Sequence, residues 1–443
     1  MNAEEKGKIL QAADDRDVRF IRLQFTDILG TLKNVAVTVN QLEKALDGKI
    51  VIDGSSVNKY CLKTEKNLFL FPDPSTFVTF PWRPQEGAVA RLICSLYDEN
   101  GEPAKCCTRS VLQRILGEAQ ERGYSIHIGP EAEFFLFLVD EHGKPTTETH
   151  DKGEHFDLTP LDLGENARRD MIITLQDMGI DVETSHHEKS PGQHEIVFKP
   201  SDALSAADNI VTYKFVIRTI AQRHGLHATF MPKPIKGLSG SGMHLRFYLF
   251  KNNKKLFIQE AGLEGESNND MAYFMGGIFK HARSLTALAN PTINSYKRLW
   301  GDNDTPRCMS WSYYSNKSFI KIPLKNLGES FIEWRSPDPS CNPYLTIAAA
   351  VRAGIRGIEE RINPPKPNEN IDDSCSEFYN FNDEFQLPKN LEQALITLMS
   401  DKYLKSGLGE HLVESYFKIK IQEWNSYSKE VHPWEIENYL HKF

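Results

Sequence analysis

Glu131 and Glu133 stand two residues apart in the apolar run IHIGPEAEFFLFL. Side chains alternate along an extended strand, so both carboxylates project from one face. Two acids side by side in so apolar a run repel each other and lose hydration, and a cation between them is the simplest remedy. A solvated strand face is the plain alternative. The stretch SHHEKSPGQHEIVF adds Glu188 and Glu195 on either side of a Pro-Gly turn, flanked by His186, His187 and His194. His244 lies at the mouth of another strand-like run in SGSGMHLRFYLF, and FIEWRSPDPS sets Glu333 and Arg335 two apart. Each signal is weak alone, since a lone strand histidine is more often a satisfied core residue than a ligand. Five carboxylates and one imidazole together form a hard, oxygen-rich set suited to Mg²⁺ or Mn²⁺ rather than Zn²⁺.

The elements that must position these groups alternate irregularly. The first hundred residues mix short alternating segments, such as Phe20–Phe25, with turn-rich stretches, including DGSS at 53–56, and predict a small strand-rich unit. A polar Gly/Pro break at 96–105 sets the boundary between units at 1–103 and 104–443. Beyond it, 108–123 has helical spacing with Gly123 at its end, and further helices are expected near 166–178, 204–224, 270–289, 342–362 and 409–428. Strand-like runs fall at 125–138, 193–199, 227–230, 243–250, 318–323 and 329–335. No repeat or regular βα rhythm is present, so the fold class is α+β. Residues 364–388, Pro-rich and then rich in acids and Asn, read as a long surface excursion.

The chain has 443 residues, a net charge of −8 and a pI near 6.0. It therefore lacks the positive field that would attract nucleic acid or an anionic membrane. The charged N-terminus has no apolar core of a secretory signal, and no run is long enough to span a bilayer. Seven cysteines, irregularly spaced, read as plain thiols in a reducing cytoplasm.

Taken in order, DGSSV (53–57), GPEAEFFLF (129–137), FDLTPLDLGENARRDM (156–171), SHHEKSPGQHEIVFK (185–199), GSGMHLRF (240–247), ALANPTINSYKRL (287–299), WRSPDPSCNPYL (334–345) and HPWEIENYLHKF (432–443) resemble the type I glutamine synthetases along nearly the whole chain. The resemblance implies a small N-terminal β-grasp domain and a large catalytic domain with a curved antiparallel sheet. It implies ATP-dependent joining of L-glutamate to ammonia through a γ-glutamyl phosphate. Glu133, Glu188 and Glu195 match one metal site, and Glu131, His244 and Glu333 the second. Arg298 matches the arginine that holds the α-carboxylate, Gly240 a backbone position lining glutamate, and Arg335 the arginine near the γ-carboxylate. Asp53 matches an aspartate offered to the neighbouring subunit, where it takes a proton from ammonium. A dodecamer of two hexameric rings follows from the same resemblance, with the C-terminal helix reaching into the opposite ring.

Several positions depart from that pattern. In the nitrogen site, Asn67 replaces an aspartate, His155 a tyrosine, and Asp304, in GDNDTP, a glutamate of the mobile flap. On the nucleotide side an Arg-Asn-Arg-Ser segment reads Tyr314-Ser315-Asn316-Lys317-Ser318, and Lys321 and Phe331 stand where arginines are usual. Arg246, Arg307, Lys317 and Lys321 are the cations left to meet a nucleotide, and Lys and Arg are not equivalent at bidentate phosphate contacts. The segment 58–69 lacks the arginine of one regulatory branch, and the adenylylation loop of another is absent. Two further readings stay open: a γ-glutamyl ligase using a primary amine, and a metal- or glutamate-binding homologue without ligase activity, in a regulatory or structural role.

Overall fold

The computed structural model describes residues 3–57, 67–84, 86–256, 269–301, 304–323, 330–369 and 385–443. An N-terminal helix, Ala3–Asp15, precedes a sheet that has six strands among the described residues. In that sheet the strand Val18–Thr26 pairs antiparallel with Leu32–Thr38 and parallel with Ala88–Tyr97. The far end of Ala88–Tyr97 pairs with Asn67–Pro72, which in turn pairs with Ile50–Asp53. Ile21, Leu23, Leu68, Leu70 and Leu92 fill the space behind the sheet.

The turn after Thr26 ties this unit to the rest of the chain. Asp27 accepts hydrogen bonds from the backbone of Leu29 and Thr31, and Gly30 takes φ +81°. A side chain on Gly30 would also strike Asn342 at 2.7 Å, so glycine is required twice over. Asn342 donates to the carbonyl of Ile28 at 3.1 Å while capping the helix Pro343–Glu359 through Tyr344 N–H.

Among the described residues the larger unit is an eleven-stranded, mostly antiparallel sheet backed by helices. Its spine is Tyr124–Val139, flanked by Gln193–Phe198 on one side and Met243–Lys251 on the other, with Val182–His187 and Ile332–Trp334 next outward. Ile126, Ile128, Ala132, Phe134 and Leu136 face the core under the helix Ala203–Arg223, and the alternate face carries Glu131 and Glu133. The helices Asp270–Ala289 and Pro343–Glu359 pack so closely that a side chain on Gly277 would collide with the Ala353 carbonyl, and one on Gly357 with that of Tyr273.

The helices expected at 108–123, 166–178, 204–224, 270–289, 342–362 and 409–428 appear as Thr108–Glu121, Glu165–Asp177, Ala203–Arg223, Asp270–Ala289, Pro343–Glu359 and Glu410–Tyr427. Helices at Ala3–Asp15, Ile293–Gly301, Leu391–Ser400 and Lys402–Leu408 were not anticipated. Only the ends of the 364–388 excursion are described, and there Glu369 accepts from the backbone of Tyr313. Reading every cysteine as a plain thiol needs correction. Cys94, Cys106, Cys107 and Cys341 are free and buried, whereas Cys308 is disulfide-bonded, on a segment bridged to Gln386 where the excursion returns. Cys61, Cys375 and most of the regulatory segment lie outside the described residues. Among the described residues no helix is long and apolar enough to cross a membrane.

Candidate functional site

Strand pairing brings the carboxylates together. Glu195 lies opposite Glu133, and His244 opposite Glu131, so three adjacent strands present these side chains to one cleft of about 230 Å³. The turn after Val182–His187 adds Glu188, and Ile332–Trp334 adds Glu333, which pairs with Arg246 across the ladder. One oxygen each from Glu133, Glu188 and Glu195 lies within 4.8 Å of the others. Glu131 and His244 meet the same criterion with Glu195, which thus sits between the two groups. Glu333 stands 3.5 Å from His244 Nδ1 and is held by Arg335.

The electrostatics of this cluster call for cations. Burial and then the charge of Glu188 push Glu133 up to about 8. Burial and then the charges of Glu133 and Glu131 raise Glu195 as well. Glu188 moves the other way: against the upward push of burial, its hydrogen bond with His186 lowers it. His244 is driven down to about 3, by burial and then by Arg335, which keeps its imidazole neutral and fit to ligate. Crowded carboxylate oxygens with one neutral imidazole match hard divalent ions, so the residues present fit such a group.

Other side chains brace the ligands. Gln193, not singled out in the sequence, donates to Glu133 at 2.9 Å and to the Gly240 carbonyl at 3.1 Å, and the Gly242 amide also donates to Glu133 at 2.9 Å. Behind the sheet His187 and His194 are fully buried on the face opposite Glu188 and Glu195. Asp151 accepts from the Gly192 amide at 2.7 Å and faces His187 at 3.3 Å, pinning the turn between the two glutamates.

Gly240, Arg298, Arg335 and Asp304 line the same cleft. Arg298 is buried, donates to the carbonyls of Ser336 and Pro337, and is lowered by burial. Arg335 donates to the Asn316 carbonyl at 2.9 Å. Asp304 is engaged at 2.6 Å by Lys189, a residue whose role was not foreseen, and that hydrogen bond lowers its carboxyl. His155 also lines the cleft, its imidazole lowered by burial against the pull of Glu188.

The nucleotide-side cations are more scattered. Arg246 is buried, bonded to Glu183 at 2.8 Å and the Phe198 carbonyl at 3.0 Å, and 3.3 Å from Glu131. Lys321 donates to Asn316 at 2.6 Å and is lowered by burial. Lys317 lies close enough to Asp304 for their charges to interact. Asp53 is not among the lining residues. It ends its strand on the N-terminal unit, exposed, and accepts from the amide and hydroxyl of Ser55. A larger cavity, about 720 Å³, lies between the two units beside Arg22, Trp82 and Lys214, but among the described residues no acidic side chain lines it, so they offer no ligand set of this kind.

The chain is similar to known proteins along nearly its whole length. The family model described as "Glutamine synthetase, beta-Grasp domain" matches residues 17–99, and "Glutamine synthetase, catalytic domain" matches 105–439. A glutamine synthetase of Clostridium saccharobutylicum is 47% identical over 440 residues, covering 99% of both chains. A solved structure titled "Apo GmaS without ligand" superposes with a TM-score of 0.87 at 29% identity, over 97% of this chain and 99% of that one. The glutamine synthetase of Plasmodium falciparum gives 0.87 at 27% identity, over 98% of each chain.

Proposed function

The chain belongs to the glutamine synthetase family, and from that premise we propose that it is an ATP-dependent ligase joining L-glutamate and ammonia into glutamine through a γ-glutamyl phosphate. The observation that carries this reading is the meeting of Glu133, Glu188, Glu195, Glu131 and His244 with Arg298 and Arg335 in one cleft. Two Mg²⁺ or Mn²⁺ ions held by Glu133, Glu188 and Glu195, and by Glu131, His244 and Glu333, would neutralise the encounter of phosphate with carboxylate.

The side chains account for the remaining steps. Arg298, buried beside Gly242, offers its guanidinium to the α-carboxylate, with Gly240 lining the same wall. Arg335 releases Glu333 to meet the γ-carboxylate and the charge that builds on the transferring phosphoryl group. Lys317 and Lys321, with Arg246 behind them, supply positive charge on the nucleotide side. Ammonium must lose a proton before it attacks, and Asp53 of a neighbouring copy is proposed to accept it, while Asp304 closes the cleft over the intermediate. This requires an oligomer. We propose a dodecamer of two hexameric rings, in the cytoplasm, whose clefts form between the 1–103 unit of one copy and the 104–443 unit of the next.

Purified protein with ATP, glutamate and Mg²⁺ or Mn²⁺ tests the reading, with phosphate release and amide product both measured. Ammonium-dependent glutamine formation is expected. Product only with a primary amine would move the assignment to an amine ligase, and absence of phosphate release with every acceptor would overturn catalysis altogether.

A further inference from the structure

His155 and His186 approach Glu188 at the mouth of the cleft, outside the oxygen-rich set. One ligand atom from each of the three lies within 4.8 Å of the other two. His186 Nε2 stands 2.9 Å from Glu188 Oε1, a few tenths of an ångström short of the edge of about 3.3 Å that two ligands span on a tetrahedral ion with bonds near 2.0 Å. His155 reaches them from the opposite loop. There Phe156 holds a left-handed φ of +67°, an unfavourable conformation for a bulky residue, fixed by the hydrogen bond its amide N–H donates to the His187 carbonyl at 3.1 Å. The consequence is an aromatic plate: the Phe156 ring stacks 3.7 Å from His155 and lies 4.9 Å from His186, which restricts both imidazoles. The neighbouring cation Lys189 is paired with Asp304, which lowers the opposing charge at this mouth.

Two imidazoles and one carboxylate form a borderline donor set. Mg²⁺ prefers oxygen alone, whereas Zn²⁺ and Co²⁺ favour histidine nitrogen and accept three protein ligands with a fourth position open. We propose that His155, His186 and Glu188 form a further cation site, selective for a transition metal of the Zn²⁺ class. The site does not depend on the proposed reaction, because the three donors converge whatever the cleft catalyses. Glu188 belongs also to the Glu133–Glu195 group, so an ion held here shares that carboxylate and weakens its grip on the hard-ion position without emptying it. Zn²⁺ at micromolar levels therefore competes with activity even in millimolar Mg²⁺.

The test is a Co²⁺ titration of metal-free full-length protein, counting ions per chain by equilibrium dialysis and following visible absorption. The wild-type chain is expected to bind one more Co²⁺ than His155→Phe, with the absorption of a low-coordinate, nitrogen-bearing site. In millimolar Mg²⁺ that ion stays, and His155→Phe or His186→Gln weakens it at least about tenfold. His155→Cys keeps a donor in place and retains the ion with an added thiolate charge-transfer band. Equal Co²⁺ counts for wild type and His155→Phe overturn the site. So does an extra ion whose spectrum is the same in His155→Cys.

Discussion

Glu133 shows how a single side chain reports the chemistry around it. Its folded-state value, near 8, lies above the ordinary 4.5, and that of Glu195 is raised too. Between those two values the metal-free folded chain keeps protons that the unfolded chain has released. Stability therefore falls as pH rises through that window, the reverse of a salt-bridged carboxylate. A divalent ion replaces the protons, so its stabilising effect must grow over the same range. We expect the melting temperature of metal-free protein to drop between pH 5 and pH 8 relative to Glu133→Gln, and added Mn²⁺ to restore it most at the alkaline end. Thermal melts across pH, with and without Mn²⁺, check this. A Mn²⁺ effect independent of pH would mean that the buried carboxylates are ionised without it. At this scale the sequence was most legible: the spacing of Glu131 and Glu133 already places them on one face. Gln193 and Lys189 were opaque, because a glutamine opening a strand and a lysine in a bend carry no periodic signal, and their roles exist only once the strands are paired. The pairing of Arg246 with Glu183 likewise depends on a neighbour 63 residues away.

Elements bounded by strong local signals were read to within a few residues, as with Asp270–Ala289 and Ala203–Arg223, because both bury a broad apolar face. Ile293–Gly301 and Lys402–Leu408 escaped because about two turns give too few residues for a period to show. Asn342 illustrates a different kind of information, since its local and long-range roles coincide. As a cap it satisfies the first amides of Pro343–Glu359, and its side-chain amide reaches across to the Ile28 carbonyl. Asn342→Ala should cost about 1–2 kcal/mol from the cap, with a further loss from the buried carbonyl left unpaired. Asn342→Asp should retain the cap but not the bond to Ile28. Urea melts of both variants separate the contributions. If the two are equally destabilised, the cap contributes nothing and the lost bond between the units accounts for the whole effect.

For the whole molecule, the position of Asp53 sets the constraint. Its strand belongs to the N-terminal sheet, it is exposed, and it does not line the cleft that holds Glu133 on the same chain. An aspartate that serves a cleft from there must serve another copy's. The C-terminal segment adds to this picture, since Trp434, Ile436, Leu440 and Phe443 are largely exposed, more apolar surface than a solitary chain keeps in water without reason. These features give a complementation test. Asp53→Ala chains retain a whole catalytic cleft but offer nothing to a neighbour, whereas Glu333→Ala chains retain Asp53 and lack a ligand. Each homo-oligomer should be inactive in amide formation. Dissociated, mixed in equal amounts and reassembled, they should recover activity in roughly a quarter of the clefts, where an intact catalytic half meets an intact Asp53. Glutamine formation after reassembly measures this directly, with unmixed controls carried through the same cycle. Should mixing restore nothing while both variants still assemble, Asp53 acts within its own chain or not at all, and the shared cleft has to be abandoned.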